Sequence, residues 1–595
     1  MPPLCGIFFN ISFMKHLITW TIILFAGLSL NAQNYLPDSL KSKYHMLTWE
    51  ELDNHRNGVK SIKEIIPTAP PTGTVRSIAE WERNQGVIVA YPYYSNYYGT
   101  GFGIPIELIA AMAEDVHVYI IYSNESNLST IENEIAAGDV NTDNVSYHLI
   151  PSDTYWTRDF SPWFIAHGDT PEVGIVNFNY NRNRPDDNNV PVEFGNIFGI
   201  DVFGMEVEHT GGNYMSDGMY NAASTTLVYE ENAELDSYNI GEIEVDSRME
   251  DYLGITDYII ANDPMDDYIY HIDCWAKFLD VDKVLVGEVP ETDYRYEDYE
   301  AAADYFANQT SSYGNNYEVY RVYSPDGQPY TNSLIMNDKV YVPVPASGSA
   351  VDWNNEAVAV YEAAMPGYEI VEVPNTSAPS WQSTDALHCR THEVPDIGML
   401  HIFHSALYGV QDDLTVYEIT AEISSYGGNA LYDDSLRVYY SVNNGPWDFV
   451  LMANEGGNTF TANIPGQNPG DVIQYYIHAA DESARSENHP YMGATDPHEF
   501  VVFDPSDIRT ENKAVVSLFP NPTKGNLSIA LHYLNEKTAS IEIFDVNGRV
   551  LRSLRIENTG DYHLLRLDVS DLAKGTYFVR FIGETQVKTS KFILR

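Results

Sequence analysis

Between Trp81 and about Ala406 the chain switches repeatedly between two hydrophobic periods. IPIELIAAMAED carries its apolar residues at helical spacing and is followed by the strand-like VHVYIIY. The pair recurs as AAADYFANQ with YEVYRVY and as NNEAVAVYEAAM with YEIVEVP. This alternation predicts a mixed α/β domain. After about residue 410 the helical period disappears. LTVYEITAEISSY, SLRVYYSV, DFVLMA, TFTANIP and DVIQYYIHAAD alternate apolar and polar positions between Gly, Asn and Pro, which predicts a β-sandwich of immunoglobulin-like size ending near FVVFDPSD. The segment from AVVSLFPNPTKGNLSI to KFILR predicts a further small β domain. Residues 33 to 72 are polar, lack a period and end in PTAPPTGT, so they read as a propeptide or linker.

The first residues follow another logic. From Met14, MKHLITWTIILFAGLSLNAQ has a basic start, an apolar run from Leu17 to Leu30 and a small residue before Gln33, the layout of a secretory signal cut between Ala32 and Gln33. The run is shorter than the roughly 20 residues needed to span a bilayer. The predicted division is therefore 1–32 extension and signal, 33–72 propeptide or linker, 73–410 α/β domain, 411–506 sandwich and 512–595 C-terminal β domain.

Five strand endings in the α/β region are followed by a short polar motif: WTRD at Asp159, GGN at Asn213, HID at Asp273, TNS at Asn332 and LHC at Cys389. Successive positions differ by 54, 60, 59 and 57 residues. A repeat of this length, with one polar motif per unit, suits a closed ring of small α/β units that brings five distant motifs to one axis. A doubly wound sheet would line its loops along one edge instead.

Charge and cysteine count then narrow the chemistry. Lys and Arg total 33 against 85 Asp and Glu, a formal charge of −52, which disfavours nucleic acid and anionic lipid and attracts cationic ligands. Removing the signal leaves Cys274 and Cys389, for which a disulfide and a nucleophile are both open readings. A nucleophilic Cys389 needs a proton shuttle, for which His271 is the candidate. Asp159 and Asp273 would disfavour a thiolate by themselves, but they suit a planar cation, since a guanidinium pairs with a carboxylate through two parallel hydrogen bonds. Taken singly, each has an ordinary explanation: Asp as a turn residue, His271 as an interior histidine, and Arg182 and Arg184 in NYNRNRPDDN as solvated cations. Their recurrence at one spacing favours a shared site.

WTRDFSPW, HTGGN, HIDCWAKF, TNSLIM and ALHCRTHE together resemble the bacterial, Porphyromonas-type peptidylarginine deiminases, relatives of agmatine deiminase in the guanidino-modifying pentein superfamily, over about residues 75 to 405. The resemblance implies a five-bladed α/β propeller. It also implies Cys389 as nucleophile, His271 as general acid and base, Asp159 and Asp273 as guanidinium clamps, and Asn332 beside the nucleophile. Trp156 and Tyr268 would line the substrate's apolar stem. Arg182 and Arg184 would bind the carboxylate of a C-terminal arginine; as alternate residues of an extended segment they would face one side. The implied reaction is hydrolysis of arginine to citrulline and ammonia through a thiouronium on sulfur, with no cofactor or metal. PDDNN and VDWNNE lack the ordered ligand spacing of a calcium loop and read as solvated loops. Cys274 is expected to point away from Asp273 along a strand, unpaired with Cys389.

The tail FPNP, IEIFDVNGRVL, DLAKGTYFVRF and KFILR resembles the C-terminal sorting domain of type IX secretion substrates. That implies a secreted protein, either released or held at the bacterial surface, with the secretion machinery and arginine-containing peptides as partners and no transmembrane span in the mature chain. The competing readings are agmatine deimination on the same scaffold and a surface adhesin that has lost activity.

Overall fold

The computed structural model describes residues 65–92, 101–182, 184–233, 238–265, 269–376 and 380–504, and in the tail 515–519, 523, 525–532, 538–545, 548–557, 562–583 and 587–594. The signal and most of the linker segment lie outside these residues, as does Tyr268. The chain divides into two compact units, through Phe503 and from Asp504 onward.

Five sheets in the first unit repeat one order. A short strand after a polar motif runs antiparallel to a central strand, which runs parallel to a third. The triplets are Trp163–His167, Glu172–Tyr180 and Val202–His209; Met215–Ser216, Asn221–Thr225 and Asp257–Ala261; Ala276–Asp280, Lys283–Glu288 and Glu318–Tyr323; Leu334–Met336, Lys339–Val344 and Glu369–Pro374. The fifth joins the two ends of the region: His392–Pro395 pairs antiparallel with Asn84–Tyr91, which runs parallel to His117–Tyr122.

Helices cross between the parallel strands, and local sequence accounts for them. In Ile106–Asp115 the buried residues are Leu108, Ile109, Met112 and Ala113, one face at helical spacing. Glu242–Leu253 stops at Gly254, whose φ of +73° suits a residue without a side chain. A Cβ there would also sit 2.0 Å from the Val75 carbonyl oxygen.

The central strands are apolar on both faces. In Asn84–Tyr91, Val87 and Val89 belong to one apolar cluster and Ile88 and Ala90 to another, so successive side chains enter different cores. Each such fully buried Val or Ile contributes about 1.5–3 kcal/mol of transfer free energy. This is why the strands read as continuous hydrophobic runs.

Beyond residue 400 the chain is almost all strand, with one helical turn at Gly493–Thr495, and two sheets face one core. Leu400–Phe403, Val416–Ser425, Thr459–Pro465 and Ala453–Gly456 form one, and Gly409–Gln411, His498–Val502, Val472–Ala480, Arg437–Val442 and Asp448–Leu451 the other. Ile419, Ile423, Val438, Ile464, Tyr475 and Ile477 fill the space between them. In Val416–Ser425 exposed and buried positions alternate from Val416 to Ile423, the sequence pattern made physical. In the second unit two antiparallel sheets surround Ile529, Ile541, Val579, Phe581 and Phe592. No helix among the described residues is long and apolar enough to cross a membrane.

Candidate active site

Four of the five motifs fold as single helical turns: Thr157–Phe160, Gly211–Asn213, Ile272–Cys274 and His388–Arg390. Asn332 sits in a turn whose amide donates to the Pro329 carbonyl at 3.0 Å. One helical turn after a strand aims a side chain inward without lengthening the backbone. The turn before His271 is strained, with Tyr270 at φ +55°, a left-handed conformation that costs a bulky residue about 1–3 kcal/mol.

The structure brings the five motifs together. Asn332 Nδ2 donates to Cys389 Sγ at 3.3 Å, and the Cys389 amide donates to Asn332 Oδ1 at 3.3 Å. Cys389 Sγ lies 3.8 Å from Asp273 Oδ2. His271 Nδ1 is 3.6 Å from Asp159 Oδ1. Gly212 marks the meeting point: a Cβ there would lie 2.6 Å from His271 Nδ1, 2.7 Å from Asp159 Oδ1 and 3.4 Å from Asp273 Oδ1. Two carboxylate oxygens and an imidazole nitrogen from two motifs thus face one small volume, kept open by the glycine of a third.

Electrostatics separate the two aspartates. Burial, reinforced by the charge of Asp273, raises Asp159 to about 7, against the pull of Arg182 and Arg184. Burial also acts to raise Asp273, but the hydrogen bond and charge of His388, with His271 and Arg158, bring it below its usual range. Burial lowers His271 to about 3 despite Asp273, so the ring is neutral at neutral pH. A hydrogen bond from Cys274 lowers the Cys389 thiol, but burial and Asp273 outweigh it and raise the group overall. Cys389 is thus held as a thiol by its surroundings.

Several expectations need correction. Cys274 does not point away from Asp273: it lies in a helical turn, where the alternation of a strand does not apply, and its Sγ reaches Asp273 Oδ1 at 3.6 Å. No disulfide joins it to Cys389. Arg182 and Arg184 do not lie in an extended segment, since the Arg184 amide donates to the Arg182 carbonyl at 2.8 Å in a tight turn after Glu172–Tyr180. Nor are they solvated, with exposures of 7% and 1%. Arg182 Nη1 lies 3.8 Å from Glu231. Arg184 stacks over Trp156 at 4.9 Å and donates to the Tyr180 hydroxyl at 3.3 Å, which itself reaches Asp159 Oδ2 at 3.5 Å. PDDNN is not a solvated loop either. Asp187 is fully buried and accepts from Thr154 Oγ1 at 2.9 Å and from the Asp153 amide at 2.7 Å. Asn354 of VDWNNE is buried beneath the Tyr330 hydroxyl. Among the described residues no cluster of His, Cys, Asp or Glu is arranged to hold a metal.

Sequence reasoning gave no role to Gly212, Tyr180, Glu231, His388 or Glu80. Gly212 and His388 were visible inside GGN and LHC. Glu231 and Glu80 carry no local signal.

The α/β scaffold thus gathers a buried cysteine, a neutral imidazole and two carboxylates in one buried site. The family model of the Porphyromonas-type peptidyl-arginine deiminases matches residues 76–395, more than half of the chain. The protein belongs to that family. A secretion system C-terminal sorting domain matches residues 517–595, which assigns the protein to secretion with attachment at the cell surface. Among solved structures, the agmatine deiminase of Enterococcus faecalis is 17% identical, with 56% of this chain and 99% of that one covered and a TM-score of 0.48. The agmatine deiminase of C. jejuni is 16% identical over 54% and 96%, with a TM-score of 0.44.

Proposed function

We propose that the protein is a secreted peptidylarginine deiminase that hydrolyses the guanidinium of arginine, preferably at a peptide C-terminus, to citrulline and ammonia. On this reading the five repeated sheets are the blades of a pentein propeller, closed by the pairing of His392–Pro395 with Asn84–Tyr91. The two-sheet region after residue 400 is an immunoglobulin-like sandwich, and residues 1–32 are an N-terminal extension and the export signal that begins at Met14. The observation that carries the reading is the convergence of Asp159 Oδ1, Asp273 Oδ1 and His271 Nδ1 on the space beside Gly212, with Cys389 Sγ on the other oxygen of Asp273.

A guanidinium entering that space pairs with both carboxylates, favours the ionised form of Asp159, whose proton leaves to solvent, and offsets the charge that keeps Cys389 protonated. Sulfur then attacks the guanidinium carbon, the thiol proton passing to the neutral His271 ring. The tetrahedral adduct expels ammonia as His271 shuttles a proton to it, leaving a thiouronium on Cys389. Water, deprotonated by His271, adds to the same carbon, and breaking the C–S bond returns the thiol and releases citrulline. Asn332 donates to sulfur throughout, which favours the thiolate.

Arg182 and Arg184 supply the reason to favour a chain end over agmatine, which has no carboxylate to meet them. Glu231 beside Arg182 offsets part of that positive charge. Each charge-assisted contact is worth about 1.5–3 kcal/mol, so even one surviving contact gives a preference of roughly tenfold or more. The test measures citrulline from a peptide ending in free arginine, from the same peptide amidated, and from agmatine in parallel. The free acid should lead by at least that factor. Equal rates on the two peptides would remove the chain-end reading, and faster turnover of agmatine would replace it.

A further inference from the structure

His388, the residue before the nucleophile, uses both ring nitrogens in a buried chain of charges. Nδ1 meets Asp273 Oδ2 at 2.8 Å and Nε2 meets Glu80 Oε2 at 3.0 Å. Glu80 in turn accepts from Lys277 Nζ at 2.9 and 2.7 Å on its two oxygens, and from the Ile335 amide at 2.7 Å. Ionised carboxylates only accept, so the ring bonds both when both of its nitrogens carry hydrogen.

We propose that His388, braced by Glu80 and Lys277, is a positioning residue that holds the Asp273 carboxylate at the angle and charge the substrate cation requires. The proposal rests on the deiminase reading for the identity of that cation. Lys277, Glu80, His388 and Asp273 form one continuous chain of polar contacts, and a guanidinium at Asp273 Oδ1 extends it. Asp273 Oδ2 is committed to His388 and Cys389, which turns Oδ1 toward the space beside Gly212.

The partition of charge in the site agrees. Both aspartates are buried, yet only Asp273 has an imidazole partner within hydrogen-bond distance, and only Asp273 lies below the usual range while Asp159 lies near 7. The other groups facing Asp273 are His271 and Cys274 from its own turn, Arg158 and Asp159 from Thr157–Phe160, and Cys389. Arg158 is engaged by Glu393 at 2.5 Å. A small cavity of about 70 Å³ opens behind this chain, with Glu80, Lys277, Arg158, Asp273, His388 and Glu393 in its wall.

The amide side chains separate the two edges of the ring. His388→Asn keeps a donor at the Nδ1 position and loses Glu80; His388→Gln keeps one toward Glu80 and loses Asp273. With wild type, kcat/KM for a peptide ending in arginine should fall below about pH 7 with a slope near one, because Asp159 alone takes up a proton there. In His388→Gln it should drop about tenfold or more at pH 8, and the limb should steepen toward two as Asp273 also titrates. His388→Asn should stay within about threefold of wild type with a slope near one, and Glu80→Gln should fall between the two.

A second readout needs no turnover: the rate at which Cys389 is alkylated by chloroacetamidine, a cationic reagent, divided by the rate with neutral iodoacetamide. His388→Gln should lose about tenfold of that preference and His388→Asn should keep it. If His388→Gln retains the wild-type slope and preference, or His388→Asn loses both as fully as His388→Gln, the proposal is overturned. If wild type releases no citrulline from any substrate, the deiminase reading fails, and the alkylation ratio still decides the role of His388. Thermal melts of the variants identify any that do not fold, in which case Glu80→Gln decides.

Discussion

The site has two halves built on opposite terms. On the Asp273 side polar groups are committed in advance: His388, Glu80, Lys277 and the Ile335 amide form an unbroken chain. On the Asp159 side, Asp159 Oδ1 and both nitrogens of His271 are buried with no hydrogen-bond partner among the described residues. An unmade bond on a buried polar group costs about 1–3 kcal/mol, so this half carries a cost that the Asp273 side does not. The difference teaches which carboxylate is prepared before substrate arrives and which is prepared by it.

Cys389→Ala tests the point where the halves meet and carries the largest effect. Citrulline release should fall to background while the thermal transition moves little, because a small thiol is replaced by a methyl. More than trace activity in this variant would break the covalent mechanism. Gly212→Ala comes next: its methyl would occupy the volume shared by His271, Asp159 and Asp273, and kcat/KM should fall by roughly a hundredfold or more, the cost of displacing catalytic groups by about 1 Å. A variant within a few-fold of wild type would show that the space is not the guanidinium site.

The two aspartates should then part company. Replacing either by Asn removes one charge-assisted pair with the guanidinium, about 1.5–3 kcal/mol in kcat/KM. Their effects on stability should be opposite. Asp159 has a folded-state pKa raised to about 7, so the folded protein binds the extra proton between the ordinary carboxylate range and 7, and stability falls as pH rises through that window. Asp159→Asn should therefore be more stable than wild type at pH 8, on the order of a few kcal/mol, and no more stable at pH 4. Asp273 is depressed below its usual range, so its contribution is present above the ordinary carboxylate pKa and is lost only as pH falls through the lower folded value. Asp273→Asn should be less stable than wild type at neutral pH. Denaturant melts at the two pH values measure both, and shifts of the same sign would erase the distinction.

The last test concerns wild type alone. A guanidinium needs Asp159 ionised, so kcat/KM should rise about tenfold per pH unit below 7 and level off above it. A profile flat from pH 5 to 8 would mean that Asp159 is already ionised in the free enzyme.

Much of this was legible in the chain. The helix Ile106–Asp115 and the strand His117–Tyr122 were read from their periods, as were Tyr296–Ala307 with Glu318–Tyr323 and Asn354–Ala364 with Glu369–Pro374. The spacing of the five motifs anticipated that Asp159, Asp273, Asn332 and Cys389 would meet, because a repeat places equivalent positions at equivalent points of each unit. Both are local or periodic properties, and such properties are written in order along a chain.

Only the tertiary structure decided what each of those residues is chemically. Asp159 and Asp273 are the same side chain in similar turns, and no periodicity says that one is held near 7 and the other below its usual range. That difference comes from His388, 115 residues from Asp273 and bound in turn to Glu80, 308 residues away along the chain. Likewise the tight turn that buries Arg182 and Arg184, and the turn that brings Cys274 beside Asp273, depend on which groups the packing leaves opposite them. The sequence by itself determined which residues would gather. Ionisation and aim depend on burial and on charges within a few ångströms, and those are properties of the assembled fold.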